Sequence, residues 1–369
     1  MKIGILTFHC AHNYGAVLQC YALQEVLKRM GHTVEVMDYR PAFLKTAYDI
    51  VSFRRIYSRN PLKILKSLVS EFLCLPERIR RYKGFDSFIK NRLRLSSPDI
   101  PSDCDVYIMG SDQIWNPGIT QGFDGVYFGY LPFSKGARKY LAYAASMERE
   151  VLADSEKDYL QKALCNFDAV SVRETHLANL LQPLTEKKVS VVLDPTLLAD
   201  SSVWNVFLGQ RPMKRKYVLV YQVRVDENTL RIARHIAGQL DAEVVAIASF
   251  PTWRRSRNLY QTETPEAFVN WIKHASCVVT TSFHGTAFSI ILNRSFYSLA
   301  LGAGDTRAGS LLKMVGLEER MIAKDSLPTF QEIDYEGRRV TDRLERYRKE
   351  SCRFLEKEFL GQGCDKFHV

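Results

Sequence analysis

An apolar strand that runs into a helix through Thr280-Thr281-Ser282-Phe283-His284-Gly285 constrains this chain more than any other stretch. Cys277, Val278 and Val279 precede the turn, and a helical pattern from Ala287 to Leu292 follows it. Such a junction belongs to a doubly wound α/β domain, where ligands collect at the ends of the strands. The helix start offers free backbone N–H groups and a partial positive charge, which favour a phosphate or a carboxylate. His284 there is a proton carrier near neutral pH, with capping or core packing the other role open to it.

The same alternation recurs along the chain. Residues 2–8 alternate as a strand, Asn13 to Gly15 turn, Ala16 to Met30 carry a helical period ended by Gly31, and Thr33 to Tyr39 make a second strand, a βαβ unit. Strands are expected at 105–109, 139–145, 169–172 and 189–193, with a helix at 151–165. Gln210 to Lys216 is charged, aperiodic and contains a proline, and reads as a linker. Beyond it come a strand at 217–225, a helix at 227–240, a strand at 243–248, a loop holding Trp253, Arg254, Arg255 and Arg257, a helix at 265–274, the His284 junction, a strand at 296–300, the glycine turn 302–307 and a charged helix at 335–360. At 369 residues the chain exceeds one ordinary core. The expected fold is α/β, two Rossmann-like domains facing a cleft. The first spans 1–205 with a basic helical insertion at about 40–95, the second spans 216–335, and 336–369 form a C-terminal helix and tail. A cleft of this kind is the default place for a small-molecule site.

The net charge of +10 narrows the partners. Residues 40–95 hold 14 Lys plus Arg against 4 Asp plus Glu, a surplus equal to that of the whole chain. No motif that reads nucleic acid accompanies it. Leu62, Leu65, Leu68, Val69, Phe72 and Leu73 fall near one helical face beside Lys63 and Lys66, the pattern of a helix lying on an anionic membrane surface or packed on its own domain. No apolar run reaches the roughly 18 residues that span a bilayer, and the first residues read as a strand rather than a signal peptide, so a cytoplasmic location is expected. The eight cysteines form no CxxC pair. His9, Cys10 and His12 lack a fourth ligand nearby, and no metal is expected.

Gly110-Ser111-Asp112-Gln113-Ile114-Trp115-Asn116-Pro117 follows a strand and is dense in donors and acceptors. Asn13, Gln19, Asp112, Gln113 and Asn116 have the mixed character that sugar hydroxyls require, with Gly15 and Ser111 as substrate-binding candidates beside them, Trp115 as a stacking face and Asp112 as a base. A structural turn, with Asp112 and Asn116 bonded to their own backbone, is the competing role.

Asn13-Tyr14-Gly15-Ala16-Val17-Leu18-Gln19, the Gly110–Pro117 block, Tyr143-Ala144-Ala145-Ser146, Ser171-Val172-Arg173-Glu174, Leu193-Asp194-Pro195-Thr196 and Thr281–Gly285 together resemble the polysaccharide pyruvyltransferase family over residues 13 to about 300. The resemblance implies a fold like the two-domain GT-B glycosyltransferases. It also implies transfer of the enolpyruvyl unit of phosphoenolpyruvate to two sugar hydroxyls, giving a pyruvate ketal without metal or organic cofactor. His284 is then the acid/base, and Ser282, Gly285 and Thr286 lie at the phosphate. Many members carry Arg-Leu-His where this chain has Ser282-Phe283-His284, so another guanidinium is needed to hold the donor. Arg173 is the first candidate, followed by Arg224, Arg294 and Arg307. A nucleotide-sugar glycosyltransferase and a catalytically silent binding protein share the layout. The Asp194-Pro195 pair reads as a structural turn.

Overall fold

The computed structural model of the protein describes residues 1–51, 61–97, 103–131, 139–223, 226–252, 256–300 and 306–360. Arg224, Trp253, Arg254, Arg255 and residues 302–305 lie outside the described residues, as do the side chains of Leu62, Lys63, Leu65 and Lys66.

The first sheet comprises β1 (Lys2–Leu6), β2 (Thr33–Val36), β3 (Val106–Met109), β4 (Lys139–Ala145), β5 (Ala169–Val172) and β6 (Val189–Val191). The second comprises β7 (Tyr217–Gln222), β8 (Glu243–Ala248), β9 (Leu259–Tyr260), β10 (Cys277–Thr280), β11 (Phe296–Leu299) and β12 (Met321–Ile322). Helices α1 (Tyr14–Arg29), α2 (Ala42–Tyr48), α3 (Pro61–Arg92), α4 (Pro117–Thr120), α5 (Asp154–Leu164), α6 (Thr175–Leu181), α7 (Pro195–Leu198) and α8 (Ser201–Asn205) belong to the first half of the chain. Helices α9 (Glu227–Leu240), α10 (Pro265–His274), α11 (Phe283–Ile291), α12 (Thr306–Val315) and α13 (Val340–Leu360) belong to the second.

Strand order is β2-β1-β3-β4-β5-β6 in one sheet and β12-β11-β10-β7-β8-β9 in the other, with every pairing parallel. Central strands such as β3 and β10 are buried at all four positions, as a sheet covered on both faces demands. Each order reverses direction once, between β1 and β3 and between β7 and β10, and the loops leaving those strand ends splay apart into a crevice. Residues 7–13 and 110–116 leave the first switch point, and residues 281–284 leave the second.

Local caps set several boundaries. Asn13 Oδ1 accepts from Gly15 N at 2.9 Å and opens α1, and Gly31, with φ of 86°, turns the chain out of it. Helix α11 starts at Phe283, four residues before its apolar period, because Ser282 accepts from Gly285 N and begins the helix early. Helix α3 continues through Pro76, which is exposed, while Cys74, Phe85, Phe88 and Ile89 bury its other side. Residues 335–339 turn rather than extend α13, with Arg339 at φ of 54°.

The domains share an apolar core. Tyr14 stacks on Phe268 with rings 4.5 Å apart and 6° from parallel, and Trp204 meets Phe288 edge-on at 4.8 Å. Helix α13 leaves the second sheet and returns to the first domain. There Ser351 Oγ accepts from Leu193 N at 3.0 Å, and Arg348 Nε donates to Leu197 O at 2.7 Å. Among the described residues no helix is long and apolar enough to cross a membrane.

Candidate active site

Three adjacent strand ends of the first sheet feed one buried polar network. Arg173 leaves β5, Ser146 leaves β4, and Asp194 follows β6. Arg173 Nη1 donates to Asp194 Oδ2 at 2.6 Å, its Nε to Glu174 Oε1 at 3.2 Å, and its Nη2 to Ser146 Oγ at 3.1 Å. Ser146 Oγ in turn donates to Glu174 Oε1 at 2.6 Å. The guanidinium also lies 4.4 Å above the Phe283 ring of the second domain. Asp194 caps α7 through Oδ1, which accepts from Thr196 N at 2.9 Å and Thr196 Oγ1 at 2.6 Å, while Ser111 Oγ donates to its Oδ2 at 3.2 Å. Burial opposes ionisation of Asp194, but His284, Arg173 and Thr196 outweigh it and hold the carboxyl well below the usual carboxylate range. Burial likewise works against the charge on Arg173, and the carboxylates of Glu174, Asp194 and Asp112 push its pKa above the ordinary value.

His284 comes from the other domain. It lies in the first turn of α11, 8% exposed, with Nε2 3.7 Å from Asp194 Oδ2. That separation exceeds a hydrogen bond, and Nε2 has no hydrogen-bond partner in the structure. A buried ring nitrogen without a partner costs stability unless something else satisfies it, which makes Nε2 the candidate atom for contact with a ligand. Gly15, in the first turn of α1, lies against the same ring: a Cβ there would fall 2.0 Å from His284 Nδ1. Only a residue without a side chain lets the two domains approach this closely. Asp112, at φ of 76°, accepts from Gln113 N through Oδ1, and that oxygen lies 4.0 Å from Arg173 Nη2. Three carboxylates thus surround one guanidinium.

Other sequence candidates sit elsewhere or do something else. Trp115 is fully buried, stacks on Phe128 at 5.2 Å and donates to Tyr127 O, so it is a core residue and presents no stacking face. Gln19 is fully buried and donates to Thr7 Oγ1 and Ala16 O beneath the site. Asn13 and Asn116 cap helices, Ser111 Oγ donates to Ala144 O as well as to Asp194, and Gln113 Oε1 accepts from Asn116 Nδ2. The 110–117 block therefore spends most of its polar groups on its own turn. Ser282 is the cap of α11, and Thr286 Oγ1 donates to Ser298 Oγ. Gly285 lets α11 press on β10, since a Cβ would come within 2.3 Å of Thr280 Oγ1. Arg173 is not a free clamp: its Nε and Nη1 are paired with Glu174 and Asp194, and its Nη2 is bonded to Ser146. Arg294 is corrected more sharply: it precedes β11, at the end of the sheet away from His284, roughly 13 Å off by four residues of strand rise. Arg307 does reach the cleft, with Nη2 3.7 Å from Glu148 Oε2 of the loop after β4.

Sequence reasoning missed Asp194, Glu174 and Ser146 as site residues. Their signal was present, since each lies at a strand end in a motif already singled out, but nothing local shows that three strand ends converge. His9 pairs with Asp38 at 2.9 Å, and among the described residues no group of three or more His, Cys, Asp or Glu is placed to hold a metal ion.

Two parallel-sheet α/β domains, one supplying an imidazole and the other a buried ion-pair network at facing strand ends, define a GT-B-like protein with a polar interdomain site. The chain belongs to the polysaccharide pyruvyl transferase family, whose model matches residues 13–302. No curated protein matches it. Similar solved structures include the UDP-GlcNAc 2-epimerase of Methanocaldococcus jannaschii in complex with UDP-GlcNAc and UDP, at 11% identity and a TM-score of 0.45, covering 96% of this chain and 99% of that one. The glycosyltransferase SnogD of Streptomyces nogalater matches at 11% identity and a TM-score of 0.43, with the same coverage of 96% and 99%. The S. aureus MnaA–UDP structure matches at 12% identity and 0.48, covering 95% and 90%. Similarity at this level says nothing of substrate.

Proposed function

We propose that the protein transfers the pyruvyl group of phosphoenolpyruvate to two hydroxyls of a sugar in a polysaccharide or lipid-linked glycan precursor, forming a pyruvate ketal. Beyond family membership, the observation that carries this reading is His284, buried at a helix start with an unpartnered Nε2. The imidazolium gives a proton to the methylene carbon of the donor, and C2 becomes electrophilic. A sugar hydroxyl oxygen bonds to C2 and loses its proton, the C2–O bond to phosphate breaks, and a second hydroxyl bonds to C2 and loses its proton. The products are the cyclic ketal and inorganic phosphate. Asp194, an ionised carboxylate paired with Arg173, stands 3.7 Å from the ring's Nε2 on the side away from bulk water. The dipole of α11 and the Arg307 side chain hold donor charge, since Arg173 is engaged. Asp112, reachable from the cleft, takes a hydroxyl proton.

Membrane contact belongs to the same reading, with the enzyme in the cytoplasm at the inner face of the bilayer. Leu68, Val69, Phe72 and Leu73 are exposed on α3, Phe72 by 77%, and exposed Arg80 and Lys83 continue that face by helical spacing. An apolar stripe running into cations suits an anionic lipid surface.

Thermal unfolding with phosphoenolpyruvate, and separately with a panel of nucleotide sugars, tests the donor. Ligand at about 100 times its dissociation constant stabilises by roughly 2.7 kcal/mol. Stabilisation by phosphoenolpyruvate alone is expected; stabilisation by a nucleotide sugar alone would replace this reading with glycosyl transfer.

A further inference from the structure

A cavity of about 310 Å³ opens between α2, α3 and the loop after β8, lined by none of the residues assigned to the proposed reaction. That volume sits at the lower end of the roughly 300–1,000 Å³ of ligand pockets. Its wall is aromatic: Tyr48 stacks on Phe250 with rings 5.9 Å apart and 13° from parallel, and Tyr82 meets His12 edge-on at 4.8 Å. Phe250 is half exposed, so its ring is available on one side rather than sealed in a core.

The charges at the wall are already engaged. Arg81 Nη1 donates to Tyr14 OH at 2.8 Å and to Ala248 O at 3.2 Å, and Nη2 donates to His12 O at 3.2 Å. Arg78 pairs with Glu71. Burial, and after it the charge of Arg81, lowers the pKa of His12 to about 4, so its ring is neutral at pH 7. Flat faces, phenol hydroxyls and a neutral imidazole suit a polar ring without charge better than a trianionic donor.

Position relates the cavity to the chemistry. His12 lines it and Gly15, three residues on, touches the His284 ring, so one turn of chain separates the two. Helix α2, which carries Tyr48, packs on α4, the short helix that the 110–117 loop runs into, so the cavity and that loop are neighbours.

We infer that this cavity is the subsite for the acceptor, binding a neutral pyranose ring of the glycan against Tyr48, Tyr82 and Phe250 while the hydroxyls to be modified point toward Asp112 and His284. The assignment rests on the pyruvyl-transfer reading for its substrate class. It gives the basic insertion a role in acceptor choice, because α2 and α3 supply most of the wall.

Saturation-transfer NMR on the full chain, with the methyl glycosides of glucose, galactose, mannose and N-acetylglucosamine as probes, tests it. Transfer to ring protons of at least one glycoside is expected. Phe250→Ala should weaken that binding roughly tenfold through lost stacking. Thr46→Trp, which fills the cavity from an exposed helix position, should abolish it. Melting temperatures check that both variants fold. Absence of glycoside binding to the wild type, or binding unchanged in both variants, overturns the assignment. Stabilisation by phosphoenolpyruvate, measured on the same samples, separates the two readings. Its loss with glycoside binding intact removes the donor and leaves the subsite standing; its persistence without glycoside binding removes the subsite alone.

Discussion

His284 is held by neighbours from two sheets: Gly15 against one side of the ring, Asp194 beyond Nε2, and Phe283 beside it in the same turn. Removing the imidazole deletes the proton carrier, so His284→Ala, with folding checked by its melting temperature, should lose turnover by roughly two to four orders of magnitude. Release of phosphate from phosphoenolpyruvate in the presence of acceptor measures it, and near-normal activity would exclude His284 as the acid/base. A second residue-scale expectation concerns His12. Its native pKa of about 4 lies below the 6.5 of an exposed histidine, so the unfolded chain binds the extra proton first. Stability from keeping His12 neutral is complete above pH 6.5 and is lost as pH falls toward 4, on the order of 3 kcal/mol in all. Denaturant unfolding at stepped pH should show this decline, and His12→Gln should flatten that stretch of the curve; an unchanged slope would mean that His12 does not set it.

At the scale of elements, α3 joins two environments. Its second half is pinned by Phe85, Phe88 and Ile89, while its first half leaves Leu68, Val69, Phe72 and Leu73 uncovered. Sedimentation with vesicles should show binding to anionic lipid that weakens with salt, because exposed charges are screened beyond a Debye length. Phe72→Glu should reduce it several-fold without changing the melting temperature, and equal binding to neutral and anionic vesicles would defeat the membrane assignment. How much of this was readable depended on range. Helices α9 and α10 fall at their expected positions because Asp226, Thr264 and Pro265 carry start signals within a residue or two of each helix. The continuation of α3 through Pro76 was not legible, since what holds the helix is the burial of Cys74 just before the proline and of Phe85, Phe88 and Ile89 after it, against parts of the chain far away in sequence. Trp115 shows the same limit within the site. A tryptophan in a polar loop resembles a sugar platform, and only the spatial closeness of Phe128 and Phe167 makes it core. His284 was legible because a strand, a cap and a glycine lie within a few residues of it, whereas Asp194 needed β5 and β6 placed side by side.

For the whole molecule, the contact of Gly15 with His284 makes the spacing of the domains part of the chemistry. A methyl group at residue 15 must displace the ring or part the domains, so Gly15→Ala should cut turnover roughly a hundredfold, the scale of a 1 Å misplacement. Small-angle scattering should show whether the radius of gyration rises with it, and wild-type turnover would mean that this contact is absent during reaction. The return of α13 to the first domain carries a separate mechanical consequence. The chain passes between the domains once before β7 and again along α13, whose Arg343 lies against Gly316 of the second domain and whose Arg348 and Ser351 fasten it to the first. A single strap allows swivel in any direction, whereas two straps fix a line, like the pins of a door. Rotation about that line stretches neither, and every other twist stretches one. With both straps intact the domains hold His284 near Asp194, and a cut in either strap should widen the range of positions the imidazole takes.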